Sequence, residues 1–382
     1  MQRFKALFVS AMIAALGAFL PDWSAAQDVV DRFAGIEEPA RKVDARLAEH
    51  WAEVGVVPAP ECDDLAFVRR VTLDLAGRLP TVSEAQKFAA DPSSDKRGRL
   101  IRELAGSHEF VLAWGYVLDD MIQGETAGNN EFIAYLRTSL KTGKGWDAMF
   151  REIMLGPWDG EQTKGSDRFL ERRLNDVDEL TRDTASVFFG VEVTCAKCHD
   201  HPLVPDWKQS HYYGMQSFFS RTYQFRAGNK SEIAERSSGR VSFADVDGKN
   251  HEAELMFLTG ELVPEPAEIA DPRAKDREDN AKAEGKWIRP AFSRREALVE
   301  TALREQRFFS RAIVNKFWSY LHGRGVVDPI DQMHSGNDPS VPGVIDVLAE
   351  DLVAHNYDLA RLAAAICATS TYQRSSEPLP GE

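Results

Sequence analysis

Apolar residues recur three and four positions apart along most of this chain, the spacing that gathers them on one face of an α-helix. From Asp44 to Val54 the pattern runs through Leu47, Ala48, Trp51 and Val54, and Pro58 and Pro60 close it. A second helix is predicted from Asp63 to Leu75, ended by Gly77 and Pro80. A third begins at Thr81, a good N-cap whose partner Glu84 completes a capping box. Asp95 to Leu104 continues the pattern, as does Phe110 to Ile122 with Trp114, Val117, Leu118 and Met121 on one face. Val177 to Gly190 and Gln209 to Phe219 read as helices, and helical patterning resumes at Arg294. Ile345 to Val353 and Leu359 to Ala368 supply the last two apolar faces.

The period changes to two between Arg240 and Leu258. Val241 and Phe243 stand before Asp247-Gly248, and Ala253, Leu255 and Phe257 follow it, which predicts a β-hairpin. Gly156 to Gly165 reads as a surface loop, and Ala270 to Lys286 is charged and poor in large apolar residues, as a solvated linker is. The fold class expected is mainly α: two helical domains with a small β-hairpin insertion between them. The boundaries are 27–225 for the first domain, 226–290 for hairpin and linker, 291–376 for the second domain and 377–382 for a tail.

The first 26 residues stand apart. Arg3 and Lys5 precede an apolar run from Ala6 to Leu20, and Ser24-Ala25-Ala26 offers a small-residue cleavage site before Gln27. About 15 apolar residues fall short of the roughly 20 that span a bilayer, so 1–26 reads as a secretory signal peptide and the mature chain as periplasmic or secreted, with no stable membrane span. The formal net charge is −14. Such an acidic surface repels phosphate backbones, which argues against a nucleic-acid partner and leaves a redox or surface protein as the partner expected.

Candidate chemistry concentrates at Cys195-Ala196-Lys197-Cys198-His199. In an exported chain, C-x-x-C-H is the arrangement that holds haem c: Cys195 and Cys198 form thioethers to the vinyl groups and His199 is the proximal iron ligand. Asp200-His201-Pro202 crowds the motif with a second imidazole, so Cys195, Cys198, His201 and His211, with His199 competing, could instead hold a structural zinc or iron. A plain disulfide or redox-active Cys195–Cys198 pair is the third reading. Met215, Met256, His211, His251 and His334 are candidates for a distal haem ligand. Trp207, Tyr212, Tyr213, Phe218 and Phe219 would either wall a flat cofactor or belong to the core.

Other features carry less. Cys62 and Cys367 either pair or are separate buried thiols. Asp119-Asp120 and Glu350-Asp351 point about 100° apart on a helix and read as solvated faces. Gly323-Arg324-Gly325 lacks the rest of a phosphate loop and reads as a helix C-cap turn. His322 and His334 with Asp328, Asp331 and Asp338 outline a conceivable hydrolytic or metal site in the second domain.

Two stretches resemble known families. Phe67-Val68-Arg69-Arg70-Val71-Thr72-Leu73-Asp74-Leu75-Ala76-Gly77-Arg78-Leu79-Pro80-Thr81, with Phe188-Phe189-Gly190 leading into the pentad and Asp200-His201-Pro202, is similar to the planctomycete cytochrome c-like (PSCyt-type) domain of unknown function. Arg294-Arg295-Glu296-Ala297-Leu298, Ala312 to Trp318, Gly323 to Pro329, Tyr357-Asp358-Leu359 and Ser370-Thr371-Tyr372-Gln373 resemble its usual fusion partner, the planctomycete-specific PSD-type domain of unknown function. The resemblance implies an exported protein and assigns Cys195 and Cys198 to haem attachment and His199 to the iron.

Overall fold

The computed structural model describes residues 32–376 apart from 157–162, 228–229, 267–276, 278, 280, 283 and 307. Residues 1–26, expected to be a signal peptide, and most of the expected surface loop and charged linker therefore lie outside the described residues. Among those described, helices dominate. They are α1 (Glu37–Val54), α2 (Asp64–Ala76), α3 (Val82–Ala90), α4 (Lys96–Ala105), α5 (His108–Gln123), α6 (Asn130–Lys141), α7 (Trp146–Leu155), α8 (Arg168–Arg173), α9 (Val177–Phe189), α10 (Gln209–Phe219), α11 (Arg294–Glu305), α12 (Phe309–His322), α13 (Val344–Ala354) and α14 (Leu359–Ala368). No described helix is long and apolar enough to cross a membrane.

Local signals set many of the boundaries. Asp63 caps α2 by accepting from the Ala66 amide, and Gly77 ends it in the left-handed region. The Thr81–Glu84 capping box is formed, each side chain bonding to the other residue's backbone amide. Gly323 ends α12 with φ 80°, the C-cap turn expected of Gly323-Arg324-Gly325.

Two small antiparallel ribbons stand between the helical regions. The expected hairpin is present as β3 (Ser242–Ala244) and β4 (Asn250–Glu252), with Phe243 opposite His251. A second, β1 (Thr222–Ala227) with β2 (Lys230–Glu235), was not foreseen; Ala227 pairs with Lys230, so only two residues join the strands. The sequence signal is Gly228-Asn229 between runs containing Tyr223, Phe225 and Ile233, a turn dipeptide of the kind that closes two-residue hairpins.

The two sequence modules share one contiguous core that runs from Phe33 to Tyr372. Trp146 and Phe150 of α7, Phe188 of α9 and Phe309 of α12 form an aromatic nucleus, with the Phe150 ring 4.9 Å from Phe188 and 4.8 Å from Phe309. Trp114 of α5 lies 4.6 Å from Phe317 of α12 and donates its indole N–H to the Asp74 carbonyl. Polar ties follow the same route. Arg361 of α14 grips Asp351 through two 3.0 Å bonds and reaches the Ala34 carbonyl at 2.7 Å.

Several sequence expectations change here. Cys62 and Cys367 are free and buried, so they are separate core thiols, and burial raises the Cys367 thiol far above its ordinary range. Asp119 is not on a solvated face: it is buried and accepts the Gly128 amide at 2.5 Å, while Asp351 is committed to Arg361. Adjacent positions on a helix diverge enough for one to point inward.

His322 stacks on Trp318 at 4.0 Å and meets Tyr372 edge-on, with Nε2 shut off from solvent and unpartnered. It makes no site with Asp328 or Asp331. Burial pushes its pKa down from 6.5 to about 4. The unfolded chain therefore binds the extra proton more readily, and the stability conferred by the neutral ring is lost as pH falls from about 6.5 towards 4. Between pH 7 and pH 5 the wild type is expected to lose about 2 kcal/mol more than His322→Phe. Urea unfolding at both pH values checks this, and equal losses in the two proteins would reject it.

Candidate functional site

The pentad follows α9 after a helix stop set by Gly190. This residue caps α9 with φ +65°, and a Cβ there would come within 3.1 Å of Met333 Sδ and 3.3 Å of the Ile330 carbonyl. Gly190 therefore allows both the left-handed turn and the close approach of the second module, whose Met333 amide donates to the Gly190 carbonyl. Val191 and Val193 then bury their side chains, and Thr194–Lys197 forms a single 3-10 turn.

That turn is pinned from beneath and displayed above. Ala196 is fully buried, whereas Cys195, Cys198 and His199 are exposed. Lys197 bonds to Asp178 in the first turn of α9 at 2.6 Å, and Asp178 also accepts from Tyr212 and Gln216 of α10, each at 2.6 Å. Burial opposes the charge on Asp178, but Lys197, Tyr212 and Gln216 outweigh it and hold the carboxyl below its ordinary range. Gln209 closes the far side: its amide donates to Asp200 and its side chain to the Lys197 carbonyl. The loop after the motif is tied to the second module, since Ser335 donates through both its amide and its hydroxyl to Asp206.

The aromatic residues divide. Trp207, Tyr212, Phe218 and Phe219 are buried in the core, while Tyr213 is half-buried and stacks face to face on Phe243 at 4.3 Å. Tyr213, which carries the Phe243 ring, lies within electrostatic reach of Lys197 and Cys198.

The imidazoles differ in which nitrogen remains open. The ring of His199 places Nδ1 2.7 Å from the Asp200 carbonyl, an acceptor, so Nδ1 carries a proton and the lone pair of the neutral ring is on Nε2. His201 Nδ1 accepts from the Leu203 and Val204 amides, and His211 Nδ1 accepts from the Lys208 amide. An Nδ1 that accepts an amide places the ring proton on Nε2, so neither ring offers a free lone pair in this arrangement. Burial, with Lys208 beside it, also lowers the affinity of His211 for a second proton.

The four-ligand set Cys195, Cys198, His201 and His211 is not brought together. Among the described residues, no three His, Cys, Asp or Glu side chains gather so as to hold a metal ion. Of the distal candidates, Met215 is sealed in the core, and Met256 packs its Cβ against the face of Gly214. His334 Nδ1 accepts the Gly336 amide. His251 differs: Nε2 donates to Asp245 at 2.6 Å, which leaves Nδ1 open, and its ring stacks on Phe243.

Fold and site together define a mainly helical protein in which two sequence modules enclose one core and display a C-x-x-C-H turn between α9 and α10. The chain carries a PSCyt2 domain, described as a protein of unknown function (DUF1549), over residues 42–224, followed by a PSD1 domain, a protein of unknown function (DUF1553), over residues 294–381. No curated protein and no solved structure matches the chain.

Proposed function

We propose that the chain is an exported c-type cytochrome-like protein that holds haem c through Cys195 and Cys198, with His199 as the proximal iron ligand and electron transfer as its role. The observation that carries this reading is the geometry of His199: an imidazole whose Nδ1–H is bound to a carbonyl has its ring oriented and, in its neutral form, presents the Nε2 lone pair that an iron ligand requires. Both thiols are free and exposed on the same short turn, open to modification after folding or during export. Haem, when bound, supplies a one-electron couple at its iron. The protein's part is to fix the turn through Lys197–Asp178 and Gln209 and to offer the Tyr213–Phe243 stack beside it. His251, with Nδ1 open and Nε2 held by a carboxylate, is the distal candidate best prepared to bind a metal.

A structural zinc or iron at Cys195, Cys198, His201 and His211 is disfavoured, because both histidines would have to give up backbone amides or change tautomer. Expression with the haem c maturation machinery tests the choice. A Soret band and haem that stays with the chain on a denaturing gel are expected. His199→Ala should change the iron spectrum, and His201→Ala should leave it as it is. Colourless protein carrying one zinc per chain would overturn the proposal.

A further inference from the structure

The outer face of α5 is apolar where a solvated helix is ordinarily polar. Leu112, Tyr116 and Asp120 stand four apart along it, with Ala113 and Val117 beside them, and beyond the first turn only Asp120 is charged. Leu112 and Tyr116 are exposed, Tyr116 by 58%. The neighbouring helices extend this surface. Tyr320 of α12, also exposed, sits 5.3 Å from Trp114 of α5. On α2, Gly77 approaches α5 so closely that a Cβ would come within 2.8 Å of the Ala113 Cβ, and the exposed Leu73 lies one turn before Gly77 on the same side. Exposed apolar side chains from three helices and both modules therefore meet on one face. A joined surface of this kind marks an interaction site, whereas single exposed side chains do not.

Two opposite charges on the face are left unmatched within the chain. Arg137 of α6 lays its guanidinium over the Tyr116 ring at 4.4 Å and donates to the Leu112 carbonyl at 3.1 Å. Among the described residues it meets no carboxylate, and its Nε is buried without a hydrogen bond. Asp120, one turn beyond Tyr116, likewise meets no cation among the described residues. The guanidinium thus sits at the Leu112 end of the stripe and the carboxylate at the other end, with Tyr116 between them.

This register decides the occupant. When two copies of α5 pack antiparallel with Tyr116 at the two-fold axis, the position four after Tyr116 in one faces the position four before it in the other. Asp120 then meets the partner's Leu112, where the guanidinium of the partner's Arg137 is held. The pairing occurs twice, as a two-fold interface requires. A strongly acidic or strongly basic partner would match only one of the two charges, whereas the face matches itself. The net charge of −14 opposes approach at long range, but salt screens it beyond about 8 Å at physiological ionic strength. We infer that a second copy of this chain docks on this face, α5 against α5, with Tyr116 at the centre and Asp120 paired to the partner's Arg137 on either side.

Sedimentation equilibrium of the full chain across the micromolar range tests this. A monomer–dimer equilibrium is expected, weakened about tenfold or more by Tyr116→Asp. Asp120→Lys or Arg137→Glu alone sets like charges opposite each other at both ends of the interface and should also weaken it. The variant carrying both changes restores opposite signs and should recover part of the affinity lost in either single variant. Val57→Asp, which changes an exposed apolar side chain outside this face, should dimerise as the wild type does. A single-chain mass throughout that range would overturn the inference. So would dimerisation undiminished in Tyr116→Asp, or no recovery in the double charge swap. Circular dichroism of each variant separates loss of association from loss of fold.

Discussion

Changing Cys195 and Cys198 together to serine is expected to abolish covalent haem attachment completely while leaving the fold and its stability nearly unchanged. The expectation of intact folding rests on exposure. Neither thiol contributes to the core, and surface substitutions away from special contacts stay within about 0.5 kcal/mol. The turn keeps its anchors in the double variant, because Ala196 packs inward and Lys197, Asp200 and Gln209 bond through groups that serine does not disturb. Haem staining on a denaturing gel, with urea unfolding of the same preparation, reads both halves of the prediction. If the double variant instead fails to fold, the two sulfurs serve a structural centre and the haem proposal fails with it.

Arg295→Met is expected to cost about 3–5 kcal/mol, the loss that follows when one partner of a buried ion pair is removed and the other stays charged. Arg295 is fully buried at the start of α11, 3.7 Å from Glu235 of β2, and donates to the Met154 carbonyl of α7 at 2.9 Å. Burial is severe enough to pull its pKa down to about 10 even with Glu235 beside it. Glu235 is equally enclosed and accepts from the Ser293 hydroxyl and the Arg294 amide, so it fastens the N-terminus of α11. Adding Glu235→Gln to Arg295→Met removes the stranded charge and should recover part of the loss. Urea denaturation of the two single variants and the double variant checks this, and a loss below about 1 kcal/mol for Arg295→Met would refute it.

How much of this was legible in the sequence depends on how local each determinant is. The cap at Thr81, the stop at Gly77 and the span of α14 follow from neighbouring residues and were readable. The first ribbon was not read because Tyr223, Phe225 and Ile233 give only a brief alternation, although Gly228-Asn229 was a usable signal. Helix α6 has a usable signal in Phe132, Ile133, Leu136 and Leu140, which follow the helical period. The burial of Asp119 depends on the Gly128 amide coming round to meet it, which no pattern in the sequence states. At the pentad, the residue types announced the chemistry. The distinction between His199 and His201 depends on whether Nδ1 faces a carbonyl or two amides, and only the backbone path supplies that.

The shared core has a consequence for inheritance. The aromatic nucleus takes Trp146, Phe150 and Phe188 from one module and Phe309 from the other, and Gly190 is shaped to receive Met333. A lineage that lost either half would leave the other with a large wet apolar face, so selection must act on the pair. Substitutions along the seam should therefore be tolerated in matched sets, and recombination that exchanges one half between distant relatives should be penalised there rather than at the exposed turn that carries the cysteines.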